Sequence, residues 1–172
     1  MHAWKILQEE IADLEVFSGI VAVGGDGTLH EVINGMMFRA DRKKIPVAFI
    51  PNGTGNDTCA SIGIANLNQA FSFILKGDTI KVDLNLCMMD AESPQEIAEE
   101  ERFERLRYSI VNCSIGFIAK AVHGAMPYKD RFGGLSYLMA AVGELYAGSV
   151  ADTFSVSLTT STVREDPIIL ED

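Results

Sequence analysis

Two glycine-rich segments that also carry carboxylates contain the residues best suited to chemistry. The first reads Gly-Gly-Asp-Gly-Thr at residues 24–28, and the second reads Pro-Asn-Gly-Thr-Gly-Asn-Asp at residues 51–57. Glycine lets backbone N–H groups approach an anion closely, and the N-terminus of a following helix adds partial positive charge. Asp26 would repel a bare phosphate, so we expect it to act on Mg²⁺ or on a hydroxyl group.

Each glycine segment follows an apolar run and precedes a helical pattern. We predict buried strands over residues 19–23, with both faces apolar, and over residues 46–50. A β-α-β-α order predicts a parallel sheet. If the two strands are neighbours, both glycine turns open on the same edge of that sheet, where α/β folds bind ligands.

The helices around these strands have recognisable start and stop signals. We predict that Thr28 caps a helix over residues 29–37, with Glu31 as its capping-box partner. Further helices are expected up to residue 16, from the second glycine turn to residue 62, and over residues 67–76, the last ending at Gly77.

The pattern changes near residue 79. Alternation over residues 80–88 predicts a strand with one wet face, and residues 108–117 are interpreted as its antiparallel return strand. An acidic stretch over residues 90–104, a helix over residues 132–146 and a strand over residues 153–159 follow. The predicted fold is therefore an α/β parallel-sheet nucleotide-binding domain, residues 1–78, followed by the start of a β-rich antiparallel second domain, residues 79–172.

Composition excludes some classes of function. The 172 residues carry a net charge of −10, which argues against nucleic-acid binding and against simple electrostatic attachment to anionic lipid. The three cysteines have no zinc-site spacing, and no apolar run is long enough to span a bilayer. We therefore expect a cytoplasmic protein.

The two glycine motifs together resemble the catalytic domain of the diacylglycerol kinase family, which includes sphingosine and ceramide kinases. Neither motif is a Walker sequence or a dinucleotide fingerprint. Weaker similarity continues through Val82-Asp83, residues 112–117 and residues 131–137. The resemblance implies ATP-dependent phosphorylation of a lipid hydroxyl, with Mg²⁺ as cofactor and peripheral contact with a membrane.

The resemblance also implies roles for individual residues. Asp26 would be the catalytic carboxylate, either bound to Mg²⁺ or acting as the base. The residues expected to bind the nucleotide are Gly24, Gly25, Gly27, Thr28, Glu31, Gly53, Thr54, Gly55 and Asn56. Lys129 and Arg131 are either phosphate ligands or solvated loop cations. His30 is expected to be an exposed residue rather than a phosphate ligand, and the apolar stripe of residues 135–145 is expected to lie in the core rather than to line a lipid pocket.

Several alternatives stay open at this point. Thr54 and Asp57 favour a diacylglycerol-type substrate over a sphingoid base or ceramide. A NAD-kinase-like enzyme shares the first motif but does not usually carry the second. Because an initial strand and a terminal Asp-Gly segment of the family are missing, we expect the chain to be a fragment, and a non-catalytic truncated homologue is a further alternative.

Overall fold

The computed structural model describes residues 2–88 and 105–148. Strand β1, Ile20–Gly24, leads into helix α2, Asp26–Met37, and then into strand β2, Val47–Pro51. The two strands pair in parallel, from Ile20 opposite Val47 to Gly24 opposite Pro51. The predicted parallel arrangement is confirmed for these two strands, and their carboxyl ends lie at one edge.

The N-terminal segment differs from the long helix that was predicted. Helix α1, Ala3–Lys5, continues into a π-helical turn, Ile6–Glu10, and the chain becomes extended at Ile11. The buried guanidinium of Arg39 donates to the carbonyl oxygens of Leu7 and Ile11. These carbonyls are thus satisfied by a side chain instead of a further helical turn, so the prediction of a helix up to residue 16 is wrong.

Two helices follow β2, as the sequence predicts. Helix α3, Asp57–Ser61, is short, and helix α4, Leu67–Lys76, begins after Asn66, whose side chain accepts a hydrogen bond from the N–H of Gln69. Gly77 ends α4 with a φ of 72°, in the left-handed region that favours glycine. The predicted bounds of this helix and its terminal glycine are both confirmed.

The core of this part covers one face of the parallel sheet. The buried apolar residues come from β1, β2, α2, α3 and the N-terminal segment, and they are Leu7, Leu14, Ala22, Leu29, Val32, Ile33, Met36, Phe49 and Cys59. Val21 and Val23, on the other face of β1, are 48% and 58% exposed. The prediction that β1 is buried on both faces is therefore wrong within the described residues.

A second, antiparallel sheet is formed by strand β3, Asn85–Met88, and strand β4, Leu106–Ser109. The antiparallel prediction is confirmed, although both strands are shorter than expected. The predicted strand over residues 108–117 is wrong beyond Ser109, because residues 110–116 have no regular secondary structure and Phe117 begins a helix. The predictions for residues 90–104 and 153–159 lie outside the described residues, and the domain boundary stays a prediction.

Helices α5, Phe117–Ala125, α6, Lys129–Phe132, and α7, Leu135–Tyr146, complete the described chain, with a 3₁₀ turn, Met126–Tyr128, after α5. The predicted helix over residues 132–146 is confirmed from Leu135 onward. Helices α5 and α7 pack against each other, and we call this pair the helical hairpin. No helix among the described residues is long and apolar enough to cross a membrane.

Small residues form the contact within the helical hairpin. Ala121, Ala125 and Ser136 are buried, and a Cβ atom added at Gly124 would lie 3.5 Å from the Cβ of Ala140. Five large aliphatic residues of α7 are 42–61% exposed, namely Leu135, Leu138, Met139, Val142 and Leu145. The prediction that this stripe lies in the core is wrong for the described part of the chain.

Candidate functional site

The two glycine turns touch each other through their backbones. The N–H of Asn52 donates to the carbonyl of Gly24 at 2.7 Å, which extends the pairing of β1 and β2 into the turns. A Cβ atom added at Gly53 would lie 2.5 Å from the Cα of Gly25, and one added at Gly25 would lie 3.2 Å from the Cα of Gly53. Only glycine allows this approach at Gly53, and we call residues 24–28 and 53–57 together the glycine cradle.

Asp26 joins the two turns of the glycine cradle. Its carboxylate accepts hydrogen bonds from the backbone N–H groups of Asp57, at 3.2 Å, and of Thr58, at 3.0 Å. Helix α3 starts after Asn56, which has left-handed backbone angles and makes no side-chain cap. The carboxylate from the first turn therefore caps the helix that follows the second turn.

The environment of Asp26 keeps its carboxylate ionised. Partial burial raises the pKa of Asp26, but hydrogen bonds from the N–H and hydroxyl of Thr58 and from the N–H of Asp57 outweigh that effect. The net result is a pKa below the ordinary value for aspartate. A carboxylate of this kind is a weak proton acceptor and a good ligand for a cation.

The second turn is closed by the side chain of Asn56. Its Oδ1 accepts from the N–H of Gly53 and its Nδ2 donates to the carbonyl of Gly53, both at 2.9 Å. The amide that the sequence assigns to nucleotide binding is thus also the group that holds the turn in shape. Thr54 and Gly55 lie exposed at the tip of the same turn.

The start of helix α2 differs from the predicted capping box. The helix begins at Asp26 with Gly25 as its N-cap, so Thr28 lies inside the first turn and its side chain contacts Gly24. Gly27 is exposed, and a Cβ added there would meet no atom of the described residues within 4 Å apart from its own helix backbone. Among the described residues, packing therefore does not require a glycine at position 27.

Glu31 does not cap its own helix. Its carboxylate accepts a hydrogen bond from the N–H of Ala3 at 2.8 Å and lies 3.0 Å from the Nδ1 of His2. Glu31 therefore supplies the first turn of α1 with an acceptor, much as Asp26 does for α3. A contact between Glu31 and a nucleotide stays a prediction.

A third glycine segment, which the sequence reasoning did not place in the site, approaches the cradle. A Cβ added at Gly134 would lie 3.6 Å from the Cγ2 of Thr54, so the start of α7 packs beside the second turn. Lys129 lies over the ring of Tyr137, and Arg131 lies over the ring of Phe132. Phosphate binding by these two cations stays a prediction. In the sequence, the feature that marks the contact between Gly134 and Thr54 is the Gly-Gly pair at residues 133–134.

The donor set for Mg²⁺ is small but suitable. A Cβ position built at Gly55 lies 3.5 Å from the Oδ2 atom of Asp26 and 3.5 Å from the Oδ2 atom of Asp57. These two carboxylates therefore face the same small space. Within residues 2–88 and 105–148, no cluster of three or more His, Cys, Asp or Glu side chains forms a metal site. Kinase sites hold Mg²⁺ with one or two carboxylates and the substrate phosphates, which these residues fit.

A depression of about 460 Å³ lies beside the second turn. Its lining combines turn residues with the first residues after them, including Pro51, Gly55, Asn56, Cys59 and Ile64. The glycine cradle therefore has a recess next to it that is partly apolar.

Comparison with known proteins gives a family match and similar proteins. The family model described as the diacylglycerol kinase catalytic domain matches residues 2–87, which include both glycine turns. Sphingosine kinase B of Dictyostelium discoideum is 45% identical over 86 residues, covering 48% of this chain and 11% of that protein. A diacylglycerol kinase of Staphylococcus aureus is 40% identical over 79 residues, covering 45% of this chain and 24% of that protein. The chain thus matches less than a quarter of either relative's length.

Proposed function

The chain belongs to the diacylglycerol kinase catalytic domain family, and from this premise we propose that it carries the nucleotide-binding part of an ATP-dependent lipid kinase. The reaction would transfer the γ-phosphate of ATP to the hydroxyl of diacylglycerol or a related lipid. The observation that carries the proposal is the backbone contact between Gly25 and Gly53, which builds one cradle from two turns.

In this proposal the glycine cradle binds the triphosphate. The first turn contributes Gly24, Gly25, Gly27 and Thr28, and the second contributes Gly53, Thr54, Gly55 and Asn56. The first N–H groups of a helix have no acceptor within the helix, so the start of α2 favours an anion. The open space at Gly27 supports close approach of a phosphate to this backbone.

Asp26 is proposed to hold Mg²⁺, with Asp57 as the neighbouring carboxylate. The lowered pKa of Asp26 favours the metal-binding role over the role of general base. When bound, Mg²⁺ would neutralise charge that develops on the transferred phosphoryl group. The hydrogen bonds from Asp57 and Thr58 orient the Asp26 carboxylate, and in this way they fix the two turns relative to each other.

The lipid is proposed to be an alcohol of the diacylglycerol type. Thr54 and Asp57 favour this class. The names of the similar proteins do not decide between the lipids, because one is a sphingosine kinase and another is a diacylglycerol kinase. A lipid substrate also implies that a cytoplasmic protein meets a membrane surface during turnover.

A second candidate is a nucleotide-binding homologue without turnover. The segments that match the two relatives cover 11% and 24% of those proteins, so other parts of a complete kinase lie outside the match. This candidate predicts ATP binding at the glycine cradle with no transfer to any alcohol.

The test is phosphoryl transfer from γ-labelled ATP to diacylglycerol, sphingosine, ceramide and NAD presented separately. It compares the chain, the longest reading frame that contains it, and the Asp26→Asn variant of each. We expect transfer to diacylglycerol by the longer protein and a loss of at least about 100-fold in the variant, since a charged group at the transferred phosphoryl is removed. Wild-type transfer by Asp26→Asn would refute the role of Asp26, and transfer to NAD alone would refute the lipid assignment.

A further inference from the structure

Helix α2 carries a polar stripe in addition to its buried apolar face. Asp26, His30 and Asn34 are spaced four residues apart and therefore lie on one face. Asp26 is half-buried, His30 is exposed as predicted, and Asn34 is only 1% exposed. A fully buried amide is costly unless its polar atoms are hydrogen-bonded, so Asn34 needs partners.

Those partners are the two backbone groups of Tyr108 in strand β4. The N–H of Tyr108 donates to the Oδ1 of Asn34 at 2.8 Å, and the Nδ2 of Asn34 donates to the carbonyl of Tyr108 at 2.9 Å. The same Nδ2 also donates to the carbonyl of His30 at 2.9 Å. The side-chain amide thus pairs with β4 as the backbone of another strand would, and it fully satisfies Tyr108.

Further contacts hold β4 on this side of α2. The rings of Phe38, just after the helix, and of Tyr108 have centroids 5.3 Å apart. Partial loss of water around its ring, and then the positive charge of Arg107 in β4, lower the pKa of His30. The second sheet therefore docks on the C-terminal part of α2.

One rigid helix thus connects the glycine cradle to the second sheet. At its N-terminus Asp26 binds the backbone of α3, and eight residues later Asn34 binds the backbone of β4. Eight residues of α-helix span about 12 Å, so the distance between the two attachments is fixed by the helix.

We infer that Asn34 is a positioning residue that couples the glycine cradle to the β3–β4 sheet, so that nucleotide bound at the cradle is sensed at Tyr108. This inference rests on the proposed function, since it takes ATP with Mg²⁺ as the ligand of the cradle. Under it, Asn34 sets where the second sheet lies relative to the phosphate that is transferred.

The experiment is amide hydrogen exchange of Tyr108 with and without ATP and Mg²⁺. The comparison includes wild type, Asn34→Leu, and Asn85→Leu as a control, since Asn85 is an exposed asparagine on β3. In wild type and in the control, nucleotide is expected to slow exchange at Tyr108 at least threefold. In Asn34→Leu, Tyr108 is expected to exchange at least tenfold faster and to lose its response to nucleotide, while the cradle stays protected by nucleotide.

The outcomes separate this inference from the proposed function. If nucleotide protects neither the cradle nor Tyr108 in wild type, the proposed function fails. If it protects the cradle but not Tyr108, this inference alone fails. A purely structural role for Asn34 would raise the exchange of Tyr108 but leave the ratio with and without nucleotide unchanged, and this would also overturn the inference.

Two further variants keep the inference testable if Asn34→Leu does not fold. Asn34→Asp keeps an acceptor for the N–H of Tyr108 and loses the donor, so a partial response is expected. Phe38→Leu removes the ring contact and keeps the amide pairing, so a full response is expected. Loss of the response in Phe38→Leu together with a full response in Asn34→Asp would contradict the assignment to Asn34.

Discussion

The glycine cradle and the helical hairpin place their small residues in opposite ways. In the cradle, small residues let two backbones touch, and the surrounding large residues, such as Leu29 and Phe49, are buried. In the hairpin, small residues fill the contact between α5 and α7, while large ones such as Leu138 and Met139 lie outside. Within the described residues, the cradle is therefore surrounded by a buried core, whereas the hairpin presents apolar surface.

The largest contrast is expected between matched leucine substitutions in the two regions. Leu29→Ala removes a side chain that is 4% exposed, and it should lower the free energy of unfolding by about 2–5 kcal/mol. Leu138→Ala removes one that is 61% exposed, and it should change the free energy of unfolding by about 0.5 kcal/mol or less. Urea denaturation of the whole chain measures both. Equal costs would mean that the outer face of the hairpin is covered in solution.

A smaller contrast is expected between Gly53 in the cradle and Gly134 just before α7, each of which lies close to another segment of the chain. Gly53→Ala places a Cβ 2.5 Å from the backbone of Gly25, so it should cost about 1–3 kcal/mol in stability. Gly134→Ala places a Cβ 3.6 Å from Thr54, an ordinary contact, and should cost less than about 1 kcal/mol. Thermal and urea unfolding measure the difference. A tolerated Gly53→Ala would contradict the close contact of the two turns.

Two glycines without neighbours separate binding from packing. Among the described residues, a Cβ added at Gly27 in α2 or at Gly143 in α7 meets no atom within 4 Å apart from its own helix backbone. Alanine at either position should keep stability or raise it by up to about 1 kcal/mol through helix propensity. Only Gly27→Ala should weaken ATP binding, by about tenfold or 1.4 kcal/mol. Titration calorimetry gives the affinity, and equal affinities of the two variants would remove Gly27 from the site.

The smallest expected effect is the acid dependence of the Asp26 contacts. The pKa of Asp26 is lowered in the folded chain, so its contribution to stability is present above the unfolded-state pKa of about 4. That contribution is lost as pH falls through the lower folded-state value. The stability difference between wild type and Asp26→Asn should therefore shrink on acidification from pH 7 to pH 3 in urea titrations. A difference that grows on acidification would contradict this direction.

Local sequence signals predict the two turns of the cradle but not the packing of the hairpin. The glycine turns, the strands before them and the end of α4 at Gly77 depend on backbone constraints that neighbouring residues determine. By contrast, α5 was not predicted, because its buried residues Ala121 and Ala125 are small and its large residues lie outside. In α7, the apolar periodicity likewise predicts that the exposed face is the buried one.

The contacts of the two carboxylates on α2 show a second limit of sequence reasoning. Asp26 and Glu31 each accept hydrogen bonds from the start of another helix, α3 and α1 respectively. These pairings join residues about 30 positions apart, and no local pattern indicates them. The same holds for Asn34 and Tyr108, which are separated by 74 positions.

The most direct test of the glycine cradle as the nucleotide site is amide hydrogen exchange of the whole chain with and without ATP and Mg²⁺. We predict slower exchange at residues 24–28 and 53–56, and unchanged exchange along α7. Slower exchange confined to the helical hairpin, or at no segment at saturating nucleotide, would contradict the account.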